Sequence, residues 1–560
     1  MILGLQKNQN SQTPKFADHA LVFMLRGIAK KWKQPYAYYY STSTIQTADL
    51  VSYLKCIVRS VNKTGLKIVA TVCDQGGTNR AAINYLMSET CKNYAERNME
   101  KTNLGFEIDG QEIIPIFDPP HLLKCIRNNL FNKDVIFDMD GNTYTASWDH
   151  IVAMYEFDKK NEEFELRTLV KLNDNHINIA RSKMKVSNAA QVFSHKVAST
   201  MKLVSDNAPK GSLLANAVGT AKFCLFMDKT FDSVNARTIN PELGKPLRSA
   251  VTDKSSHMDH WKYAIKVFES MKFVNKTNGK TTIPPCIKNW IISLKSFIYL
   301  WLQLKKRNFK YFLPRQVNQD SLECFFGSVR SHGVRNINPD AYQFVCSFKT
   351  LLINNFTSLK SAGNCEHDDT DGTLDNLKQF IESGTHCVLK EPEENNIIID
   401  IPMLDLPHTF EVCDFTDMTI GYISGYLACT VLKENKFCRL CKNVLISNVK
   451  NNNLIRVRDY TTKSLLYPSE SFQKIIYQML YTTKYILPSI DSESIGKQLI
   501  LLFEINIDFT IKCPIHDIKY LIYDKFKNFF LFTYIKHINH ILNGLDRSNH
   551  SKSTDILKTA

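Results

Sequence analysis

The stretch that decides the fold is Leu66-Lys-Ile-Val-Ala-Thr-Val-Cys-Asp-Gln-Gly-Gly-Thr-Asn-Arg80. Its run of β-branched and apolar residues ends abruptly at Asp74, and two glycines follow. Such a run predicts a strand covered on both faces, and open α/β sheets build their sites at the carboxyl ends of strands of this kind. Two interpretations of Asp74 remain open here. It is either a functional carboxylate or a residue that caps the turn or the helix beginning near Thr78.

The segments around this strand predict an α/β core with a mixed sheet flanked by helices. Two antiparallel strands are expected at 21–25 and 36–40, and a helix at 41–62. A further strand, at 113–118, ends on Asp118, and a helix starts directly after it. The order strand, strand, helix, strand, helix, strand, helix is typical of such a core.

From about 147 to 308 the pattern is almost wholly helical, with amphipathic stretches near 163–172, 183–204, 211–227, 255–273 and 287–306. This predicts an inserted all-α domain whose apolar stripes, with Trp290 and Trp301, form its core. Helical sequence that belongs with the sheet resumes at Asn318. The expected divisions are a disordered N-terminus (1–17), the first segment of the core (18–146), the insertion (147–310), the second segment of the core (311–360), an acidic linker (361–416), a mostly helical C-terminal domain (417–545) and a disordered tail (546–560).

Composition favours a nucleic acid as partner over a membrane. Seventy Lys and Arg against 55 Asp and Glu give a net charge of +15 over 560 residues, which suits a polyanion. The start of the sequence lacks the apolar stretch of a signal peptide, and no apolar run approaches the roughly 20 residues of a spanning helix. An intracellular protein is therefore expected, and its 15 cysteines resemble reduced core thiols more than a disulfide framework.

Two strand-end aspartates and a later helical acidic residue, Glu323, form a candidate set for two divalent metal ions. Mg²⁺ prefers oxygen ligands, and two ions about 4 Å apart can activate an attacking oxygen and stabilise a leaving one in phosphodiester transfer. An alternative remains open, because Asp320-Ser-Leu-Glu323 also fits a capping box in which Asp320 caps the helix and Glu323 reaches back.

Several motifs, in order along the chain, resemble those of P element transposases and their THAP-domain relatives. They are Leu25-Arg-Gly-Ile28 with Trp32-Lys-Gln-Pro35, Val72-Cys-Asp-Gln-Gly-Gly-Thr-Asn79, Phe117-Asp-Pro-Pro-His-Leu-Leu-Lys124, Asn175-His-Ile-Asn178 and Asn318-Gln-Asp-Ser-Leu-Glu-Cys-Phe-Phe-Gly-Ser-Val-Arg330, with a weaker echo at Gly421-Tyr-Ile-Ser-Gly-Tyr-Leu-Ala428. The resemblance covers roughly residues 18–357. It implies an RNase H-like core interrupted by a helical insertion that binds GTP. The implied activity is Mg²⁺-dependent DNA cleavage and strand transfer in the nucleus, by a homo-oligomer on transposon ends and target DNA, with GTP as a non-hydrolysed cofactor.

The resemblance also implies roles for the acidic residues. Asp74 matches the second catalytic carboxylate of the family and Glu323 the third, and both would hold Mg²⁺. Asp118 matches a motif aspartate outside the catalytic triad, so we expect it to cap its helix beside the site, with His121 and Lys124 nearby. The family's first catalytic aspartate, in a Phe-Asp-Glu-Met context, has no counterpart here, and neither have the THAP finger and the leucine-zipper region. We therefore expect a truncated or domesticated copy, or an incomplete gene model, and a chain that is close to inactive alone.

Within the insertion, the resemblance implies a guanine nucleotide site. Its phosphate and sugar contacts fall on Lys171, Lys185 and Ser194, its guanine-binding segment on Phe231, Asp232 and Asn235, and a further guanine-side contact on Asp320. A carboxylate can accept both the N1 and N2 hydrogens of guanine, and lysines can meet phosphates. The alternative is a set of solvated charges and an ordinary core phenylalanine. Asn278-Gly-Lys-Thr281 is not interpreted as a P-loop, because Val274 stands in place of the first glycine and no strand leads into it.

Cys438-Arg-Leu-Cys441 and Cys513-Pro-Ile-His516 are two pairs with metal-ligand spacing. Together they could form a Cys₃His zinc site, although the gap of about 70 residues is long for a compact zinc module. Cys429, His537 and His540 are further candidate ligands. For the whole chain, two alternatives to an active transposase remain. One is a nuclear DNA- or chromatin-binding protein that has lost catalysis, and the weaker one is an unrelated Mg²⁺-dependent phosphohydrolase.

Overall fold

The computed structural model describes residues 16–29, 32–160, 167–179, 182–209, 211–242, 244–331, 338–353, 415–459, 465–486 and 495–542. These residues fall into two units. Unit 1 draws on 1–145, 183–190 and 226–390, and unit 2 on 146–182, 191–225 and 391–560. The predicted disordered ends and acidic linker lie outside the described residues, except for residues 16, 17, 415 and 416. The predicted domain boundaries stay a prediction.

The strands of the described residues form three sheets, β1-β2, β3-β5-β4 and β7-β6-β8-β9. Their bounds are β1 (His19–Arg26), β2 (Lys33–Ser41), β3 (Ala70–Cys73), β4 (Phe106–Ile108), β5 (Gln111–Phe117), β6 (Lys133–Met139), β7 (Asn142–Ala146), β8 (Lys272–Asn275) and β9 (Thr281–Thr282). The predicted antiparallel pair is confirmed, since β1 and β2 pair from His19 opposite Ser41 to Arg26 opposite Lys33.

The α-helices of the described residues are α1 (Thr47–Asn62), α2 (Gly77–Glu96), α3 (Pro119–Asn132), α4 (Trp148–Lys160), α5 (Asp174–Ile177), α6 (Val186–Val192), α7 (His195–Asn207), α8 (Val218–Val234), α9 (His257–Ser270), α10 (Pro285–Lys306), α11 (Asp320–Ser331), α12 (Ala341–Ile353), α13 (Phe415–Glu434), α14 (Arg439–Leu445), α15 (Asn453–Arg458), α16 (Glu470–Ile486), α17 (Ile495–Asn506) and α18 (Ile518–Leu542). A short 3₁₀ helix, Pro314–Val317, precedes α11.

The strand that ends before Asp74 is shorter and less buried than the sequence predicts. β3 pairs in parallel with β5, with Ala70 opposite Ile114 and Cys73 opposite Phe117. All four of its residues are only half-buried. The reason is its position at the edge of its sheet, where it lines a cavity instead of a neighbouring strand.

Helices pack on two of these sheets, the three-stranded sheet and the β1–β2 pair. α1 and α2 pack on the three-stranded sheet through buried residues such as Leu50, Leu86 and Ile113. α11 and α12 pack on the β1–β2 pair through an aromatic cluster that includes Phe325 and Phe348. This arrangement confirms the predicted α/β core, because each helix buries one apolar stripe against one sheet.

Two serines of α10 form hydrogen bonds with the backbone of β5. The Ser293 hydroxyl accepts a hydrogen bond from the backbone N–H of Phe117 at 2.9 Å, and the Ser296 hydroxyl donates to the carbonyl oxygen of Pro115 at 2.7 Å. Pro115 cannot donate to a neighbouring strand. A helix can therefore lie close to this strand and satisfy its backbone groups.

The insertion is less uniformly helical than expected. A two-stranded segment, β8 and β9, interrupts it, and Asn278-Gly-Lys-Thr281 lies at their turn, where Gly279 has a φ of +66°. The expectation that no strand leads into the stretch is wrong, because β8 directly precedes it. The stretch runs into β9 and not into a helix, so it is a turn between two strands and not a P-loop. The helix expected at 183–204 is divided into α6 and α7. The described residues of the helix expected at 163–172 are not helical, and residues 168–171 form a turn. Trp290 and Trp301 are buried, as predicted.

Unit 2 contains a helical core built from α13, α14, α16, α17 and α18, with Phe472, Leu499 and Phe526 among its fully buried side chains. The predominantly helical character expected for the C-terminal residues is confirmed over the described ranges. None of the described helices combines the length and the apolarity that crossing a membrane requires.

Gly105 allows β4 to lie close to β5, because a Cβ added there would lie 2.4 Å from the carbonyl oxygen of Ile113. We expect Gly105→Ala to destabilise this sheet by about 1–3 kcal/mol, since overpacking against a backbone displaces the strands. Gly77→Ala is the matched control, because a Cβ there meets no atom within 4 Å. Hydrogen exchange of the β5 amides measures both, and equal protection in the two variants would contradict the packing argument.

Candidate functional site

The two predicted strand-end aspartates lie at the ends of neighbouring strands. β3 and β5 run parallel, so Asp74 and Asp118 leave the sheet at the same edge. The backbone N–H of Asp118 donates to the carbonyl oxygen of Cys73 at 2.9 Å. The carboxyl ends of parallel strands therefore bring these two residues together, as the sequence predicts.

Asp118 caps two helices at once. Its Oδ2 accepts a hydrogen bond from the backbone N–H of His121 in α3 at 3.1 Å, which confirms the predicted cap. Its Oδ1 accepts from the backbone N–H of Gln319, directly before α11, at 2.7 Å. Burial raises the pKa of Asp118 to about 7, although His121 and the two N–H groups favour the ionised form. Asp118 is therefore a structural junction between β5, α3 and α11.

This junction places Glu323 beside His121. The ring Nε2 of His121 lies 2.6 Å from Oε1 of Glu323. Burial opposes protonation of the imidazole, but the contact with Glu323 and the charge of Asp118 outweigh it and raise the pKa of His121. The same contact lowers the pKa of Glu323. Glu323 is thus held as a carboxylate at the edge of the sheet where β3 and β5 end.

The capping box considered for Asp320 and Glu323 is not formed. Asp320 is the first residue of α11, and its carboxylate accepts from Nε of Arg315 at 3.0 Å. Glu323 faces His121 and does not reach back to the start of its own helix. The acidic residues at this helix start therefore serve two different contacts.

Asp74 is held by the turn that follows β3. Its Oδ1 accepts from the backbone N–H of Gly76 at 2.8 Å and from Nδ2 of Asn79 at 2.7 Å. A Cβ on Gly76 would lie 2.9 Å from Oδ1 of Asp74, so glycine permits this close turn. Both bonds use Oδ1, which leaves Oδ2 for a further ligand. The capping alternative is thus partly correct, because Asp74 organises the turn with one oxygen.

The donor set is suited to Mg²⁺ in type, because Asp74 and Glu323 each offer a carboxylate. Within the described ranges, however, neither belongs to a group of three or more candidate ligand atoms that already converge. Two carboxylates are fewer protein ligands than a pair of metal ions requires. Asp74 and Glu323 therefore fit Mg²⁺ as part of its ligand set.

A cavity of about 600 Å³ lies beside Asp74 in unit 1. The consecutive residues 21–29 and 66–73 line two of its sides, and apolar residues of α1, including Leu54 and Ile57, form its floor. β1 and β3 are both edge strands of their sheets in the described structure. The cavity therefore separates two strand edges that have no strand partner on that side among the described residues.

The residues of the expected guanine-binding segment lie in unit 1 and are buried. Asp232 accepts from Nζ of Lys245 at 2.7 Å, and the same ammonium lies 3.5 Å from Asp228. Burial raises the pKa of Asp232 in spite of Lys245. Phe231 is buried, as an ordinary core phenylalanine would be. The predicted base-binding carboxylate is thus paired with a lysine.

A second buried pair lies near this segment. Nη2 of Arg315 is 2.9 Å from Oδ2 of Asp320, and the pair is almost completely buried. Nδ2 of Asn318 donates to Oδ1 of Asn235 at 3.4 Å, which connects the predicted Asn235 to the start of α11. Sequence reasoning missed both Lys245 and Arg315, because neither carries a motif that would mark it as a partner.

The three predicted phosphate and sugar contacts are distributed over the two units. Lys185 belongs to unit 1, whereas Lys171 and Ser194 belong to unit 2. Both lysines are exposed. The Ser194 hydroxyl accepts a hydrogen bond from the backbone N–H of Val197 at 3.4 Å and so caps α7. Ser194 thus has a local structural role, and its place in a nucleotide site stays a prediction.

In unit 2, the four predicted zinc ligands lie together. The candidate ligand atoms of Cys438, Cys441, Cys513 and His516 are all within 4.8 Å of one another. Cys429, although described, is not in this group, and the side chains of His537 and His540 lie outside the described ones.

A parallel strand pair that ends on acidic residues, an antiparallel pair ahead of it and a largely helical insertion define an RNase H-like core with an insertion domain. Three family models match the chain in this order. They are "TNP-like, RNase H N-terminal domain" at residues 2–87, "TNP-like, GTP-binding insertion domain" at 120–245 and "TNP-like, RNase H C-terminal domain" at 316–349. These matches confirm the predicted fold class.

The chain also shows similarity to individual proteins. The chain is 25% identical over 477 residues to the "Transposable element P transposase" of Drosophila melanogaster, covering 83% of this chain and 57% of that protein. It is also 25% identical over 367 residues to the human "DNA transposase THAP9", covering 63% of this chain and 38% of that protein. A chain of the solved "Drosophila P element transposase strand transfer complex" is 24% identical, with a TM-score of 0.49 over 64% of this chain and 75% of that chain.

The chain is therefore similar to P element and THAP-type transposases, as its motifs imply. It spans 57% and 38% of the length of the two relatives.

We expect Asp118→Ala to loosen the first turns of both α3 and α11. Each lost cap costs about 1 kcal/mol, so two caps together cost about 2 kcal/mol. Amide exchange at the start of each helix should accelerate about 5-fold, as expected for the loss of about 1 kcal/mol there. Asp118→Asn should have a smaller effect, because one amide oxygen can still accept one of the two bonds.

Glu96→Ala is the control, since Glu96 forms an exposed pair with Lys92 at 3.7 Å and such pairs contribute less than about 1 kcal/mol. If Asp118→Ala loosened α3 but not α11, Asp118 would not be the junction between the two helices.

Proposed function

We propose that this protein is a P element-like DNA transposase, or a domesticated descendant of one, which acts on DNA in the nucleus with Mg²⁺ and GTP as cofactors. The observation that carries this proposal is the junction at Asp118. Asp118 follows the strand next to the one that Asp74 follows, and it accepts a hydrogen bond from Gln319, directly before the helix that carries Glu323. The relatives named as transposases support the reaction class.

Asp74 and Glu323 are the proposed catalytic and metal-binding residues. Oδ2 of Asp74 and the carboxylate of Glu323 would hold Mg²⁺, which when bound activates the attacking oxygen and stabilises the leaving oxygen in phosphodiester transfer. His121 keeps Glu323 ionised and in place until the metal competes for it. Asn79 fixes the rotamer of Asp74. Each ligand is therefore orientated by a neighbour, as metal ligands usually are.

The further carboxylate that the resemblance implies would come from a strand beside β3. The cavity between β1 and β3 has two strand edges facing it and an apolar floor. A strand that paired with β3 would place one of its side chains near the end of β3, where Asp74 lies, because side chains of adjacent strands lie about 5 Å apart. Such a strand would complete both the sheet and the metal site.

GTP binding is proposed to centre on Asp232, in the insertion that matches a GTP-binding domain. The carboxylate would accept the N1 and N2 hydrogens of guanine in exchange for the ammonium of Lys245. The ammonium of Lys245 would keep an acidic partner after this exchange, because Asp228 lies 3.5 Å from it. Asn235 and Asp320 would contact the base, Phe231 would stack on it, and Lys171, Lys185 and Ser194 would meet phosphates or sugar.

DNA is the proposed polyanionic partner, and the net charge of +15 favours its binding. A homo-oligomer on transposon ends and target DNA belongs to the same proposal. A second candidate is a catalytically inactive DNA- or chromatin-binding protein with the same fold. It is favoured by the small number of carboxylates at the proposed metal site within the described residues.

We expect Asp74→Asn and Glu323→Gln each to weaken divalent metal binding at least 10-fold, because each removes a charged ligand worth more than about 1.4 kcal/mol. Binding of Mn²⁺ by the full chain, followed by electron paramagnetic resonance with Mg²⁺ as competitor, measures this directly. Mg²⁺-dependent joining of a DNA end to a target duplex should be lost in both variants.

Asp109→Asn is the control, because Asp109 is half exposed and pairs with Arg59 at 2.8 Å. Strand transfer that survives Asp74→Asn would rule out the assigned role of Asp74. DNA binding without Mn²⁺ binding or strand transfer in the unaltered chain would select the inactive DNA-binding protein.

We expect GTP to raise the melting temperature of the chain and Asp232→Asn to weaken GTP binding about 10- to 100-fold, since hydrogen bonds to a charged group contribute about 1.5–3 kcal/mol. The same variant should gain affinity for xanthosine triphosphate. Xanthine has a carbonyl where guanine has its 2-amino group, and the asparagine amide can donate to it.

Asp259→Asn, at an exposed position of α9, is the matched control and should leave both affinities unchanged. The nucleotide proposal fails if GTP does not change the melting temperature of the unaltered chain, or if Asp232→Asn binds GTP as the unaltered chain does.

A further inference from the structure

We propose that Cys438, Cys441, Cys513 and His516 bind one Zn²⁺ ion in a structural site that joins two separate segments of the helical core of unit 2. The four residues are called the Cys₃His cluster below. The inference is independent of DNA transfer and of GTP, because it rests on a different set of side chains. It assigns a metal to four residues that have no role in the proposed catalytic chemistry.

The distances within the Cys₃His cluster agree with a tetrahedral site. Nδ1 of His516 lies 3.5 Å from Sγ of Cys441 and 3.8 Å from Sγ of Cys513. Zinc bonds of about 2.3 Å to sulfur and about 2.0 Å to nitrogen place neighbouring ligand atoms about 3.4–3.8 Å apart. All four ligand atoms lie within 4.8 Å of one another. One central ion can therefore reach every member with little rearrangement.

Two different elements deliver the ligands. Cys438 is the residue before α14 and Cys441 lies in its first turn, so the two-residue spacer turns both sulfurs to one side. Cys513 and His516 lie in the connection between α17 and α18, which has no regular secondary structure from 507 to 517. The proposed zinc site thus joins Cys441 to Cys513, which are 72 residues apart. This accounts for the long spacing seen in the sequence.

The turn before Cys438 is strained. Lys436 and Phe437 have φ values of +47° and +57°, which are uncommon for residues with a side chain. The side chain of Phe437 is 58% exposed, so burial of the ring does not hold this conformation. The backbone N–H of Phe437 donates to the carbonyl oxygen of Leu432 at 2.7 Å, so the hydrogen-bonded end of α13 holds this turn and places Cys438 directly after it.

The surroundings suit thiolates. Nδ2 of Asn435 lies 3.6 Å from Sγ of Cys441 and donates to it, which is the kind of contact that orientates a metal-bound sulfur. Three thiolates and one Zn²⁺ carry a net charge of −1, and Lys436, Arg439, Lys442 and Lys512 flank the ligands in sequence. Four protein ligands leave no position for substrate, so the site is structural.

The test uses the full chain without a histidine tag, purified under reducing conditions and passed over a weak chelating resin. We expect mass spectrometry of metals to find one zinc per chain. Cys513→Ser should lower the zinc content several-fold, and His516→Cys should retain it, because Cys₄ is also a zinc site. Cys429→Ser, a cysteine of α13 outside the cluster, is the control and should retain zinc.

Cobalt substitution provides a second readout that does not depend on the variants folding. Co²⁺ added to the metal-depleted, unaltered chain should give the visible bands of tetrahedral coordination and a sulfur-to-metal charge-transfer band, and added Zn²⁺ should remove both. His516→Cys should change the cobalt spectrum and keep its tetrahedral character. Metal depletion should also lower the melting temperature, with recovery on adding Zn²⁺.

Three results would overturn the proposal. The first is that the purified chain contains no metal and that added Co²⁺ gives no tetrahedral spectrum. The second is an intact mass under non-reducing conditions that shows a disulfide between two of the three cysteines. The third is iron in place of zinc, with the absorption of an iron–sulfur cluster.

Discussion

The carboxylate of Asp118 is the contact on which the proposed active site depends. It is buried, and it accepts backbone hydrogen bonds from the starts of two helices, one of them at a residue 201 positions away in sequence. The residues after it explain how one side chain serves both. Pro119 and Pro120 have no N–H groups, so α3 begins with a single donor, at His121, within reach of Asp118. Its other oxygen is therefore available to Gln319, and α11 is placed with Glu323 towards His121.

Two acidic residues of unit 1 have pKa values shifted in opposite directions. Asp118 has its carboxylate against backbone N–H groups, and burial raises its pKa to about 7. Glu323 is less buried, and its contact with His121 lowers its pKa. Burial thus raises the pKa of Asp118, which organises the site, whereas Glu323, which is proposed to bind metal, stays ionised. This division is physically sensible, because only an ionised carboxylate is a strong ligand for Mg²⁺.

Local patterns predicted the elements well, and contacts distant in sequence account for most of what they missed. The β1–β2 pair and the buried Trp290 follow from spacing and turn chemistry within a few residues, whereas the cap at Asp118 was expected from the resemblance of its motif. Nothing near Glu323 indicates His121 as its partner, and nothing near Asp232 indicates Lys245. The half-buried state of β3 was also unpredictable, because a strand's apolar residues do not reveal whether a neighbouring strand is present.

The two proposed metal sites differ in what holds them before a metal arrives. Hydrogen bonds from Asn79, Gly76 and His121 already orientate Asp74 and Glu323, so the strand-end site has a defined shape that a metal can enter and leave. In the Cys₃His cluster the sulfurs face one another and a single imidazole, and thiols are weak hydrogen-bond donors and acceptors. Asn435 is the one side-chain donor from outside the cluster that the described contacts give to its sulfurs. A site whose ligands are held by several hydrogen bonds suits an exchangeable catalytic ion, whereas a site whose ligands come from two separate segments couples metal binding to folding.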